Sequence, residues 1–297
     1  MTVNNLWVQV SDIGPSARSG HKMVYDSDRN VTVLFGGIAN SICLNDTWEW
    51  DGTVWTQVSD TGPDKRCLHV MSYDSSRKKT VLFGGYFFPV AGAVEIFYTD
   101  TWEWDGDTWT KVAENGLKTL WPAMVFDSKA KRSILYGSIA GASDTWAWDG
   151  NEWQKIADIG PAAKQKHAMC FNTLTNTILL YGGIDTGTLK DTWEWDGRFW
   201  KQLSNFGPGP LQLHALVFDG KNAVLFGGTP AANASPLNET WQWNNKHWTQ
   251  LQDIGPAARM SHAMCADTGR NKIVLFGGST TENNDNPFND TWEIDSN

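Results

Sequence analysis

Apolar and polar positions recur along this chain in one order. An alternating run such as HKMVYD (21–26) leads into a polar turn. A nearly continuous apolar run follows and ends in paired glycines, as in VTVLFGG (31–37). Past a variable loop come DTWEWDG (46–52) and VWTQV (54–58). Each run is short, rich in β-branched and aromatic residues and bounded by turn formers, so each reads as a strand. The Asp-Gly pairs at 51–52, 105–106, 149–150 and 196–197 suit two-residue hairpin turns that need positive φ. Asn244 and Asn245 take that place in the next copy. The glycine pairs at 36–37, 84–85, 182–183, 227–228 and 277–278 close the second strand, where a side chain would obstruct close backbone approach.

Tryptophan sets the period of roughly 50 residues. The pattern W-x-W-x4-W appears at Trp48/Trp50/Trp55, Trp102/Trp104/Trp109, Trp146/Trp148/Trp153, Trp193/Trp195/Trp200 and Trp241/Trp243/Trp248. A sixth copy starts at Trp292, has Ile294 in second place and then ends. Its third Trp stands at the other end of the chain, as Trp7 in LWVQV. Six copies that share one strand between the two termini predict a closed ring. Residues 6–10 should pair with 290–294. The chain then reads as a single domain, 1–297, whose last blade combines about 255–295 with 5–10.

The pattern R-x-x-H…V-L-F-G-G…N-D-T-W-E-W is similar to the kelch repeat and spans the whole chain. That resemblance implies an all-β fold: a six-bladed kelch β-propeller with four antiparallel strands per blade around a central channel. Kelch propellers serve as adaptors, small-molecule enzymes and oxidases, so the fold leaves function open.

Composition narrows the partners. The formal net charge is -9 and the pI about 5.1, which argues against nucleic acid. The N-terminus has no basic region followed by an apolar stretch, and no window is apolar enough to span a bilayer, so neither secretion nor a membrane is expected. Cys43, Cys67, Cys170 and Cys265 match no zinc or disulfide spacing. A cytoplasmic protein with reduced thiols is the expectation.

Most of the conspicuous residues read as scaffold. The repeat tryptophans supply wide flat surfaces between blades. Asp46, Asp100, Asp144, Asp191, Glu239 and Asp290 precede Thr-Trp in every copy and are expected to satisfy local backbone N–H groups. His21, His69, His167, His214 and His262 share one repeat position, broken only by Pro122. A ring of imidazoles around a channel is too wide for one metal ion, and related kelch repeats carry His there as scaffold, so no metal and no cofactor is expected.

Departures from the repeat point to chemistry. The Arg position of R-x-x-H reads Arg18, Arg66, Thr119, Lys164, Leu211 and Arg259. Two residues later come Gly20, Leu68, Trp121, Lys166, Leu213 and Ser261. Strand alternation should point both rows the same way. The mouth would then hold Arg18, Arg66, Lys164, Lys166 and Arg259 beside an apolar arc of Leu68, Trp121, Leu211 and Leu213. In kelch adaptors that bind acidic peptides, arginines at the matching place hold carboxylates. Of the 18 tryptophans, Trp121 alone lacks a repeat position. The loop before it, 86–99, is apolar and carries Phe87, Phe88, Glu95, Phe97 and Tyr98, which suits a hydrophobic ligand or a dimer contact. Lys118 adds a cation near Trp121. Cys67 sits at the mouth next to Arg66, with Cys43 in reach.

These residues predict a ligand- or protein-binding propeller that recognises an anionic or amphipathic ligand, a small molecule or an acidic peptide, at the channel mouth. The alternative is a cofactor-free isomerase, cyclase or lyase in the same mouth, with the basic groups stabilising an anion and His or Glu95 moving protons. The iron triad of plant specifier proteins and the copper site of galactose-oxidase relatives have no counterpart here. Sialic-acid mutarotases share the layout, without active residues that map onto this chain.

Overall fold

In a computed structural model, the described residues are 6–88, 95–114, 119–138, 144–162, 164–252, 254–282 and 286–296. They form six four-stranded antiparallel sheets and two short hairpins. Blade 1 runs outward from Lys22–Asp26 through Val31–Phe35 and Thr47–Trp50 to Trp55–Ser59. The inner strands of blades 2 to 6 are Val70–Asp74, Leu120–Asp127, Ala168–Asn172, Ala215–Phe218 and Ala263–Asp267. Each packs on its two neighbours, and the last packs on Lys22–Asp26, so the ring is closed. Val8–Ser11 is the outer strand of blade 6, with Val8 opposite Glu293 and Gln9 opposite Trp292.

The second strand of each blade is the most apolar because it meets protein on every side. Val33, Leu34 and Phe35 are fully buried, as are Val274, Leu275 and Phe276. The repeat tryptophans divide three tasks. The third ties its blade to the preceding one: Trp55 Nε1 donates to Thr291 Oγ1 at 2.9 Å and Trp109 Nε1 to Thr47 Oγ1 at 2.9 Å. Trp7 obeys the same rule, donating to Thr240 Oγ1 of blade 5 at 3.0 Å. The second is buried against the preceding blade, as when Trp50 Nε1 donates to Glu293 Oε1 at 3.2 Å. The first turns back on the acid two residues earlier.

The histidines are wedges between blades. His21 meets Phe276 of blade 6 edge-on, with ring centroids 5.5 Å apart, and His214 meets Tyr181 of blade 4 in the same way at 5.6 Å. The paired glycines make room for them. A Cβ on Gly277 (φ +66°) would lie 2.8 Å from His21 Cε1, and one on Gly278 (φ +95°) 2.8 Å from His262 Cβ. Their ring nitrogens are sealed from solvent and lack hydrogen-bond partners of normal geometry. Burial pushes the pKa of His167 and His214 down to about 3, and that of His21, His69 and His262 well below the usual imidazole value.

Blade 3 departs from this plan. Its first two strands, Leu120–Asp127 and Arg132–Ser138, are 8 and 7 residues long, against 5 in blade 1. With Pro122 in place of His, the sheet simply continues until Leu120 lies opposite Ser138, past a register shift between Leu120 and Ala123. In blades 1, 4, 5 and 6 the second glycine donates its N–H to the next blade, as Gly37 does to Arg66 O at 3.0 Å. Gly85, which faces blade 3, makes no such bond among the described residues.

Candidate functional site

The basic row does not face the mouth. Arg18 grips Asp46 with two hydrogen bonds of 2.7 and 2.8 Å and also donates to Gly36 O at 3.0 Å. Arg66 holds Asp100 and Gly84 O, Arg259 holds Asp290 and Gly277 O, and Lys164 holds Asp191 and Gly182 O. All four basic side chains are at most 1% exposed. Burial opposes the charge of Asp46, Asp100 and Asp290, but the guanidinium in contact outweighs it and holds each carboxyl below its ordinary value. These acids thus serve a guanidinium and an indole more than backbone N–H groups: Trp48 Nε1 donates to Asp46 Oδ2 and Trp292 Nε1 to Asp290 Oδ2, both at 2.7 Å. Each clip is a charge-assisted lock on the mouth end of its own blade, bidentate where the cation is arginine. Arg18, Arg66, Lys164 and Arg259 are therefore scaffold, and the expected cationic ring is absent among the described residues.

The physical reason lies two residues downstream. Gly20, Leu68, Trp121, Lys166, Leu213 and Ser261 all have φ between +52° and +63°. A left-handed residue breaks strand alternation, so the clip residue turns into its blade while the residue two later turns toward the axis. Backbone bonds tie this ring together: Leu68 N donates to Gly20 O at 2.7 Å, Lys166 N to Trp121 O at 3.1 Å, Leu213 N to Lys166 O at 3.0 Å, Ser261 N to Leu213 O at 2.9 Å and Gly20 N to Ser261 O at 2.8 Å. No bond from Trp121 N to Leu68 O is present among the described residues. The gap falls between blades 2 and 3.

Above this ring lies a cavity of about 220 Å3, lined by Ile38, Cys67, Leu68, Phe88, Trp121, Lys166, Leu213, Ser261 and Glu282. Trp121 forms its aromatic wall. Tyr86 backs Trp121 at 6.1 Å between centroids and stacks on Phe88 at 6.2 Å. Lys166 Nζ sits 4.8 Å above the Trp121 ring and 3.6 Å from Glu282 Oε2. Glu282 Oε1 is buried and has no hydrogen-bond partner among the described residues. Cys43 and Cys67 pack beneath, with sulfurs 3.5 Å apart. Their shared proton lowers Cys43 to about 7, against the effect of burial, and pushes Cys67 up.

Of the expected site residues, Trp121, Lys166, Cys67 and Phe88 come together here. Leu211 leaves the apolar arc for the core between blades 4 and 5. Phe87 belongs to the Tyr86–Phe87/Ile96–Phe97 hairpin and packs toward Ile38 and the two cysteines. Tyr98 covers the Arg66 guanidinium at 4.0 Å, as Phe288 covers Arg259, so it serves the clip. Glu95 is exposed and does not line the cavity. Lys118 lies outside the described residues.

Sequence reasoning missed Lys22. It occupies the inner-strand position that holds Val70, Ala123, Ala168, Ala215 and Ala263 in the other blades. It lines both the small cavity of about 50 Å3 inside the ring and the channel cavity of about 110 Å3 below. One Lys against five small apolar residues at the same repeat position is a signal readable in the sequence. Glu282, in the variable loop after Gly277 and Gly278, carries no such signal.

Among solved structures, that of YjhT superposes with a TM-score of 0.77 over 96% of this chain and 97% of that one, at 10% sequence identity. At that identity the likeness concerns the fold alone. No curated protein sequence matches the chain. The model of the KLHDC2/KLHL20/DRC7 Kelch-repeats domain matches residues 140–297, more than half the chain. With the repeat, the clip and the closed six-bladed ring, this match shows that the chain belongs to the kelch-repeat family.

Proposed function

We propose that this propeller binds a small amphipathic ligand over its channel mouth, with an apolar face against Trp121 and Phe88 and an anionic or polar group at Lys166. One observation carries the reading. The mouth ring demands a left-handed backbone at six positions, where glycine is least strained. Only Gly20 complies. Leu68, Trp121, Lys166, Leu213 and Ser261 each accept about 1–2 kcal/mol of backbone strain. All five line the cavity. Strain concentrated on one cavity wall is explained by what the side chains do there, since the fold itself asks only for the backbone.

The cavity's size suits a metabolite more than a drug-sized molecule, for which pockets run from about 300 Å3 upward. Its charged groups suit a ligand with one acceptor for Lys166 and one donor for the free oxygen of Glu282. The test is a thermal-shift screen of metabolite-sized carboxylates, amino acids and hydroxy acids, followed by calorimetry on the hits. Trp121→Ala and Lys166→Met should each fold and lose at least tenfold in affinity, about 1.4 kcal/mol. Hits that bind both variants as tightly as the parent protein would overturn the reading.

A further inference from the structure

Below the mouth ring, the channel continues between the inner strands as a cavity of about 110 Å3. Of the two lysines on this stretch, Lys22 makes no ion pair or hydrogen bond among the described residues. The other lysine of the small cavity inside the ring, Lys166, answers to Glu282. No Asp or Glu lines either the small cavity inside the ring or the channel cavity below it among the described residues. The Lys22 charge also depresses all five buried histidines, which places its ammonium within electrostatic reach of every regular blade. Those imidazoles cannot act as its counter-groups, because they are neutral and their nitrogens are sealed from the channel.

We propose that the throat of the channel is an anion site, in which the Lys22 ammonium holds one small monovalent anion, a halide or a carboxylate group. Lys22 is part-buried on the channel wall, where its ammonium is less well solvated than in bulk water, and an anion in contact offsets that loss. The small cavity of about 50 Å3 inside the ring has the room; one water needs roughly 10–15 Å3 on the same measure. Burial lowers the Lys22 pKa, so a bound anion also keeps the amine charged. The other blades show that the position needs no lysine for folding, since Ala and Val fill it there. This inference does not rest on the mouth reading. The anion can be free in solution, or it can be the carboxylate of a molecule whose body lies in the mouth.

Melting curves at matched ionic strength test it, with sodium gluconate as the bulky control and sodium bromide, formate or benzoate as probes. Bromide and formate should raise the melting temperature of the parent protein by at least about 2 °C. Lys22→Met and Lys22→Ala should melt higher than the parent in gluconate and no longer respond to either anion. Crystals soaked in bromide should show an anomalous peak at Lys22 Nζ. If benzoate acts at tenfold lower concentration than formate and loses that advantage in Trp121→Ala, the throat takes the carboxylate of a mouth ligand. If formate and benzoate act equally, the anion is free. A bromide and formate response unchanged in both Lys22 variants, or no peak at Nζ, overturns the proposal. A mouth ligand that needs Trp121 but ignores Lys22 leaves the mouth reading standing while the throat site falls.

Discussion

Blade 6 and blade 3 carry the same four strands and hold their inner ends in opposite ways. In blade 6, Arg259 locks Asp290, His262 wedges against Phe226, and Gly277 and Gly278 leave space for the side chains that meet them. In blade 3, Thr119 stands for Arg, Pro122 for His and Ser138 for the second glycine. Asp144, without its clip, pairs with Lys155 on the outer strand at 2.9 Å. Blade 3 keeps its ladder but, among the described residues, lacks the backbone bonds that tie the mouth ends of the other blades to the blade before. The aromatic wall of Trp121, Phe88 and Tyr86 fills that seam. Regular blades thus show what the ring needs, and blade 3 shows where the ring has room for something else.

The sharpest way to break the comparison is acid, because five blades depend on a neutral histidine and blade 3 does not. The folded pKa of His167 and His214 is about 3 and the unfolded value about 6.5, so between these limits the unfolded chain binds more protons. Stability therefore falls as pH drops from about 6.5 toward 3. At pH 5 each such histidine costs about 2 kcal/mol, and five together rival the whole stability of a domain. Urea melts should show a stable protein at pH 7.5 and a largely unfolded one near pH 4.5. Equal melts at pH 7 and 5 would show that these imidazoles are not held neutral.

Tryptophan offers the next contrast. Trp7→Ala removes a buried indole, its bond to Thr240 and its contact with Phe226, and should cost about 3–5 kcal/mol. Deleting residues 1–12 should cost at least as much, since Thr291–Asp295 would lose its edge partner. A melting temperature unchanged by either would mean that the terminal strand does not close the ring in solution.

The clip comes third. Arg259→Met leaves Asp290 largely buried and without its partner, and should cost about 3 kcal/mol. Adding Asp290→Asn should recover most of that loss in a double-mutant cycle. Blade 5, where Leu211 replaces the cation and Glu239 accepts from Trp241 Nε1 at 2.8 Å, shows that the scaffold tolerates the absent charge once the acid is satisfied otherwise. The smallest effect is expected at the mouth. Trp121→Gly relieves left-handed strain and should change stability by less than about 1 kcal/mol, measured by the same melts. A loss on the scale of Trp7→Ala would place Trp121 with the scaffold.

Much of this was legible without coordinates. The strands, the six copies, the closure through Trp7 and the scaffold role of the histidines follow from local patterns, because strand alternation, turn chemistry and the demand for glycine at close approaches act over a few residues. Trp121 stood out for the same reason, as one tryptophan outside a strict period. The direction of Arg18, Arg66, Lys164 and Arg259 was not legible. It depends on a left-handed residue two positions on, imposed by backbone bonds from neighbouring blades, and Leu68, Lys166 and Leu213 show no local preference for that conformation. Lys22 was hidden for a related reason. Its composition was plain in the sequence, but six inner strands converging on one axis decide that this side chain meets a narrow channel and not open water.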